Sequence, residues 1–240
     1  MSYLIDTHFH LDYYKNHSHL FKKINELKQY TICMTPSPGV FYSCKQLYLE
    51  SKYIKFALGF HPQMKCLGDR EFNEFEYLFS ETRYVGEVGL DFSPPYYSNR
   101  EKQINYFNRI IRKCSSEKKI VSVHLRNDGG TGVEIIRNYK PEKCIIHWFT
   151  GTMQELNDLI NLNCYFSINE NMIRNNMKAD WIKAIPKEKL LIESDGPFTK
   201  VNGKKYNPDL LYLEYENIAK FLNEPELISL VYNNFATILK

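Results

Sequence analysis

Nothing in this 240-residue chain pairs its cysteines. Six of them (Cys33, Cys44, Cys66, Cys114, Cys144 and Cys164) are scattered without a CxxC spacing, which argues against a disulfide frame and against a thiolate zinc site. Cys33, Cys144 and Cys164 fall inside apolar runs, where cysteine packs as a small hydrophobe. No apolar run approaches the length needed to cross a bilayer, and no leader-like segment precedes the first strand-like run. A cytoplasmic protein with no membrane partner is expected. Linkers, low-complexity tracts and short repeats are missing too, so residues 1–240 are expected to form a single domain. A glycine-rich phosphate loop after the first strand is also missing, which counts against an open, doubly wound nucleotide-binding sheet. The net charge is only +3; this permits a polyanionic substrate without requiring one.

Apolar residues, by contrast, are plentiful at 43%, enough for a large core. They cluster in eight short β-branched and aromatic runs, at 3–9, 30–35, 54–60, 84–90, 120–125, 144–149, 164–168 and 190–195. Runs of this length and composition read as buried parallel strands. Amphipathic stretches separate them: "LFKKINELK" at 20–28, "CKQLYLESK" at 44–52, "FNEFEYLF" at 72–79, "REKQINYFNRIIRKCSSE" at 100–117, "GVEIIRNY" at 132–139, "MQELNDLINL" at 153–162 and the region of "KADWIKAI". The tail reads as two helices split near Pro225. Eight strand–helix units in this length predict an α/β protein, a single TIM-type (β/α)8 barrel.

In such a barrel the C-terminal strand ends share one mouth, where the chemistry is placed. The polar residues at those ends are His8 and His10, His61, Glu87, His124, His147 and Asp195. Five of the seven histidines are in this set; His17 and His19 fall near or in the first helix. A strand repeats every two residues, so His8 and His10 share a face and can hold one ion. Each polar group buried there without a partner costs on the order of 1–3 kcal/mol; bound metal accounts for all of them at once. Ligation by nitrogen and oxygen alone suits zinc, manganese, magnesium or iron. A carboxylate set between histidine groups can bridge two ions, an arrangement suited to in-line displacement at phosphorus.

Seven segments, "DTHFHLD", "GFHPQ", "YVGEVGLD", "VHLR", "HWFTG", "YFSIN" and "LLIESDGPF", occur in the order found in the TatD family of metal-dependent deoxyribonucleases, which the chain resembles over nearly its whole length. The resemblance implies an amidohydrolase-like barrel carrying two divalent ions, Zn, Mn or Mg. It also implies roles. His8 and His10 hold one ion with Asp195. His124 and His147 hold the second, and Glu87 bridges both. Asp195 also orients or deprotonates the attacking water. His61 and Arg126 face the substrate phosphate.

The implied activity is phosphodiester hydrolysis on the end of single-stranded DNA or RNA, as a 3'-5' exonuclease. The family's usual "ETDAP" is "ESDGP" here, its "HCFSG" is "HWFTG", and its proline-rich loop is replaced by "KVNGKKYNPDLL". These departures bear on substrate choice more than on metal binding. "TPSP", "GFHPQ" and "ESDGPF" are similar to the TatD-like proteins that accompany Qat anti-phage defence operons, which implies partner proteins in a defence complex. The same ligands also serve hydrolysis of a small ester, amide or lactone, or a metal-binding subunit with no nuclease activity of its own.

Residues around the mouth carry finer expectations. Lys200, Lys204 and Lys205 are either phosphate contacts or a solvated loop, and Lys204 is taken as a phosphate contact. Trp148 and Phe149 are candidates to stack on a base, with packing under the helices the alternative for Phe149. Asp91 is expected to structure its loop, with a direct catalytic role as the alternative. Asp6 is expected to orient an imidazole, and Asp12 either to do so or to cap the first helix. Glu193 is read as a strand-face carboxylate or a partner behind the ligands.

Overall fold

The apolar runs become strands, and each begins or ends where a turn residue intervenes. The computed structural model describes residues 3–49, 51–65, 68–174 and 176–240. Along the chain the strands are β1 (Ile5–Phe9), β2 (Tyr30–Cys33), β3 (Ile54–Phe56), β4 (Leu58–Phe60), β5 (Tyr84–Asp91), β6 (Ile120–Arg126), β7 (Cys144–His147), β8 (Tyr165–Ile168), β9 (Leu190–Ile192), β10 (Lys200–Val201) and β11 (Lys204–Lys205). The helices are α1 (His17–Leu27), α2 (Pro38–Leu47), α3 (Asp69–Leu78), α4 (Arg100–Ser116), α5 (Thr131–Tyr139), α6 (Met153–Asn161), α7 (Glu170–Ile173), α8 (Asn176–Ala184), α9 (Leu211–Leu222) and α10 (Leu227–Ile238).

The described residues pack as two compact units, one drawn from 1–33, 50–55 and 166–240, the other from 34–49 and 56–165. In the first unit β1 pairs in parallel with β2, and β8 with β9. α10 is tied to the start of β9, where the Asn234 amide donates to the carbonyls of Lys187 and Leu190 at 2.7 and 2.8 Å. In the second unit β4, β5, β6 and β7 run side by side, all parallel. Val88, Val121, Val123, Ile145 and Ile146 are fully buried on these strands, beneath Phe72, Phe75, Phe107 and Ile111 of α3 and α4. Burying each such side chain contributes about 1.5–3 kcal/mol. Covered on both faces, these strands are apolar almost throughout, as parallel strands must be.

Expected boundaries shift most at two places, while α1 and α3 begin three residues early and β9 ends at Ile192. The run at 54–60 is broken at Ala57 into β3 and β4. The helix expected at 44–52 starts instead at Pro38 and ends at Leu47. Ser37 caps it by accepting from the Val40 amide at 3.3 Å, and Pro38 occupies its first turn, where a missing N–H costs nothing. Asn16, not Asp12, stands at the N-cap position of α1, and its side chain makes no capping bond. α6 begins where expected, fixed by a reciprocal capping box between Thr152 and Glu155. The tail is split into α9 and α10 around Pro225, as read. Cys33, Cys44, Cys114, Cys144 and Cys164 are buried, and among the described residues no disulfide forms; Cys66 lies outside the described residues. Among the described residues no helix is long and apolar enough to cross a membrane.

Candidate metal centre

In the first unit β1 delivers His8 from within the strand and His10 from the position just past it. Their Nε2 atoms face each other at 3.1 Å. Asp195, three residues beyond β9, brings its Oδ1 to 3.4 Å from His10 Nε2 and 3.7 Å from His8 Nε2. The backbone locks this triad: the Asp195 amide donates to the His8 carbonyl at 2.8 Å, and the His10 amide to the Gly196 carbonyl at 2.9 Å. Asp195 sits at φ 46, a left-handed conformation costing a non-glycine residue roughly 1–2 kcal/mol and concentrated at functional sites.

Asp6 does not orient an imidazole. Its carboxylate accepts from the backbone amides of His8 (3.3 Å) and Ser194 (2.9 Å), from the Ser194 hydroxyl (2.6 Å) and from the Tyr206 hydroxyl (3.3 Å). It joins the two segments that carry the triad. Burial pushes its carboxyl up to about 7, against the Ser194 and His8 hydrogen bonds that favour the charged form. Glu193 is fully buried and is held by Ser167 and by the Asn169 amide at 3.0 Å.

In the second unit Glu87 is the hub. Its Oε1 lies 2.8 Å from His124 Nδ1 and 3.4 Å from His147 Nε2, and its Oε2 lies 3.2 Å from His61 Nε2. β5 supplies Glu87, β6 supplies His124 and β7 ends on His147; His61 follows β4 directly. The other His124 nitrogen, Nε2, faces Asp91 Oδ2 at 3.2 Å. Asp91 is buried, and its Oδ2 also accepts from the Gln63 amide at 2.6 Å. Burial opposes its charge, but the bonds from His124, Ser93 and Gln63 outweigh burial and hold the carboxyl below the usual range. Burial likewise opposes the His124 imidazolium, and Asp91 with Glu87 more than offsets it, so His124 titrates above its ordinary value.

The loop-structuring role expected for Asp91 is met by its bond from the Ser93 amide at 2.8 Å. Its grip on the His124 ring was not foreseen. One signal was present: Asp91 lies four residues after Glu87 on one strand, an even spacing that returns to the same face. A carboxylate behind a ligand imidazole fixes its ring and tautomer, and losing such a partner typically costs 10–100-fold in metal affinity. Asp91→Asn should therefore weaken metal binding by about that range while leaving the fold intact, as read by metal titration alongside circular dichroism.

Arg126 ends β6, two residues after His124 and so on the same strand face. It is half-buried, and among the described residues no carboxylate pairs with it. Lys200, Lys204 and Lys205 are exposed on the β10–β11 hairpin of the first unit. Phe149 is 3% exposed and packs in the interior, so it offers no stacking face. Trp148 stays half-buried, at φ 37, its ring edge-on to His147 with centroids 6.3 Å apart.

The donor chemistry fits divalent cations. His8, His10 and Asp195 form one group with ligand atoms within 4.8 Å of one another, and His61, Glu87 and His124 form another, which sets His61, expected at the phosphate, beside the candidate ligands, while His147 stands 3.4 Å from Glu87 Oε1. Both offer only nitrogen and oxygen, both are largely buried, and both are built from residues on parallel strands or in the segments directly after them. Parallel α/β architecture with such ligand groups defines a metal-dependent hydrolase.

A model of the family described as TatD related DNase matches residues 5–240. The chain is 30% identical to an uncharacterized metal-dependent hydrolase of Buchnera aphidicola, over 98% of each chain. It is 27% identical to human deoxyribonuclease TATDN3, over 62% of this chain and 57% of that one. The crystal structure of the TatD homologue YJJV from Escherichia coli superposes with a TM-score of 0.81 at 20% identity, covering 98% of this chain and 97% of the other. The chain therefore belongs to the TatD related DNase family. Its fold is the TIM-type, amidohydrolase-like α/β barrel of that family, and it is an enzyme, a metal-dependent hydrolase of the TatD type.

Proposed function

We propose that the chain, acting as one barrel domain over residues 1–240, hydrolyses phosphodiester bonds at the 3' end of single-stranded DNA or RNA. Two divalent ions, of zinc, manganese or magnesium, serve it: His8, His10 and Asp195 hold one, and Glu87, His124 and His147 hold the other. When bound, such ions lower the pKa of a coordinated water toward neutrality and neutralise charge growing on the phosphoryl oxygens.

The chain's own groups do the rest. Asp195 accepts the proton of the attacking water, which needs hydrogen-bond reach to that water. His61 and Arg126 grip the phosphate, with Lys204 a further cationic contact. The observation that carries a phosphate substrate over a small ester, amide or lactone is Arg126. It is a half-buried guanidinium on the same strand face as His124, and among the described residues no carboxylate pairs with it; arginine pairs with phosphate through two parallel hydrogen bonds.

The curated relatives named deoxyribonuclease support the same reading. Buried cysteines outside any disulfide among the described residues support a cytoplasmic location. The likeness of "TPSP", "GFHPQ" and "ESDGPF" to TatD-like proteins of Qat operons supports work alongside partner proteins in anti-phage defence.

Purified protein should shorten end-labelled single strands from the 3' end in the presence of Mn2+ or Mg2+. A chelator should abolish the cleavage, and returned metal should restore it. Activity on carbonyl esters with none on either nucleic acid would overturn the proposal. A protein that binds metal and partner proteins but cleaves neither kind of substrate would make it a non-catalytic subunit.

A further inference from the structure

The first unit places two exposed aromatic rings directly against a ligand imidazole. Tyr13 is 53% and Phe198 52% exposed. Their rings meet at 5.0 Å and 70°, and each also meets the His10 ring nearly edge-on, Tyr13 at 5.5 Å and Phe198 at 5.3 Å. Both rings stand on pinned backbone. Tyr13 closes the short turn Leu11–Tyr13, whose Leu11 is buried. The Phe198 amide donates to the Asp195 carbonyl at 2.9 Å, and the next residue, Thr199, is buried with its hydroxyl on the Ser194 carbonyl. Tyr42, Tyr77, Tyr97 and Tyr212 are exposed as well, but among the described residues none of their rings touches a ligand imidazole.

A fixed aromatic surface half in water is a binding feature rather than core. Two residues past Phe198, Lys200 stands directly opposite Lys205 across the β10–β11 hairpin. Like charges so paired destabilise a hairpin, and a polyanion relieves the repulsion.

We infer that Tyr13 and Phe198 form a stacking wall for the base of the nucleotide whose phosphate is cut, with the strand continuing over the lysine hairpin. The inference rests on the phosphodiesterase reading above and adds a base-contacting subsite to it. Stacking on an aromatic face tolerates every base because every base has a π-face. The wall therefore selects for a base being present and unpaired, and not for its identity.

The test compares steady-state cleavage of an all-thymidine single strand with cleavage of the same strand made abasic at its 3'-terminal nucleotide. Wild-type protein should show a KM roughly tenfold lower for the base-bearing strand, the equivalent of about 1.4 kcal/mol and within the range for one stacked base. Phe198→Ala and Tyr13→Ala should erase most of that difference by raising KM for the base-bearing strand alone. Phe198→Leu, which keeps apolar bulk against His10 but lacks the aromatic face, should behave like Phe198→Ala, while Tyr13→Phe should retain the preference.

Metal content, read by elemental analysis, should be unchanged in every variant. Variants that slow both strands equally, or that lose metal while keeping the base preference, would make the rings mere packing for His10 and overturn the inference alone. A wild-type protein that cleaves neither strand would overturn the inference together with the reading beneath it.

Discussion

Glu87→Gln is expected to abolish hydrolysis, with a loss of roughly a thousandfold or more, the upper range for removing one preorganised electrostatic group. The substitution preserves shape and volume. It removes the charge on which His124, His147 and His61 converge through the two carboxylate oxygens, and it puts an NH2 donor where one acceptor stood. An amide is also a far poorer ligand for a hard divalent ion than a carboxylate. Elemental analysis should show metal lost along with activity. Whether one ion or two leave per chain tells whether Glu87 serves one ion or both. Wild-type rates in Glu87→Gln and in Asp195→Asn alike would mean that cleavage comes from a contaminant, and the proposed centre would fall with it.

Gly89→Ala is expected to cost about 4 kcal/mol of stability, combining backbone strain with overpacking at roughly 1–3 kcal/mol each. Gly89 pairs with His124 across β5 and β6. Its φ is +151, and a Cβ there would come within 1.9 Å of the His124 carbonyl oxygen, with the His124 carbonyl carbon and amide nitrogen also under 3 Å. Those atoms are backbone in the middle of a sheet and have no rotamer to give. Of a total stability of about 5–15 kcal/mol, such a loss is large, and urea midpoints should register it directly. Because the clash pushes on His124, metal affinity should fall even in the folded fraction. A midpoint within error of wild type would show that the two strands separate more easily here than their register indicates.

The gathering of imidazoles and acids was legible because such residues stand out on and after apolar runs, and the period of a strand says which of them share a face. His8 with His10 is the clearest instance. The split at Ala57 was not legible, because 54–60 is apolar throughout and periodicity cannot find a break inside such a run. The start of α2 lies outside the amphipathic stretch at 44–52, although Ser37–Pro38 is a capping signal. The double duty of Asp91 depended on which imidazole lay opposite, a matter of register between β5 and β6. Asp6 looked like a partner for a ring but bonds the chain's own amides, because the local backbone brings those amides nearer. The pairing of Tyr13 with Phe198 joins residues from opposite ends of the sequence, which no local pattern reports.

The knot that Asp6 ties with Ser194 spans 188 positions of sequence. A ribosome has therefore to deliver most of the polypeptide before His8 and His10 meet the acid that completes their set. At about 5–20 residues per second, that interval is roughly ten to forty seconds. Throughout it the nascent chain carries two adjacent imidazoles with no third ligand from Asp195. The first triad matures only as translation nears its end, so a chain aborted before Asp195 cannot assemble it.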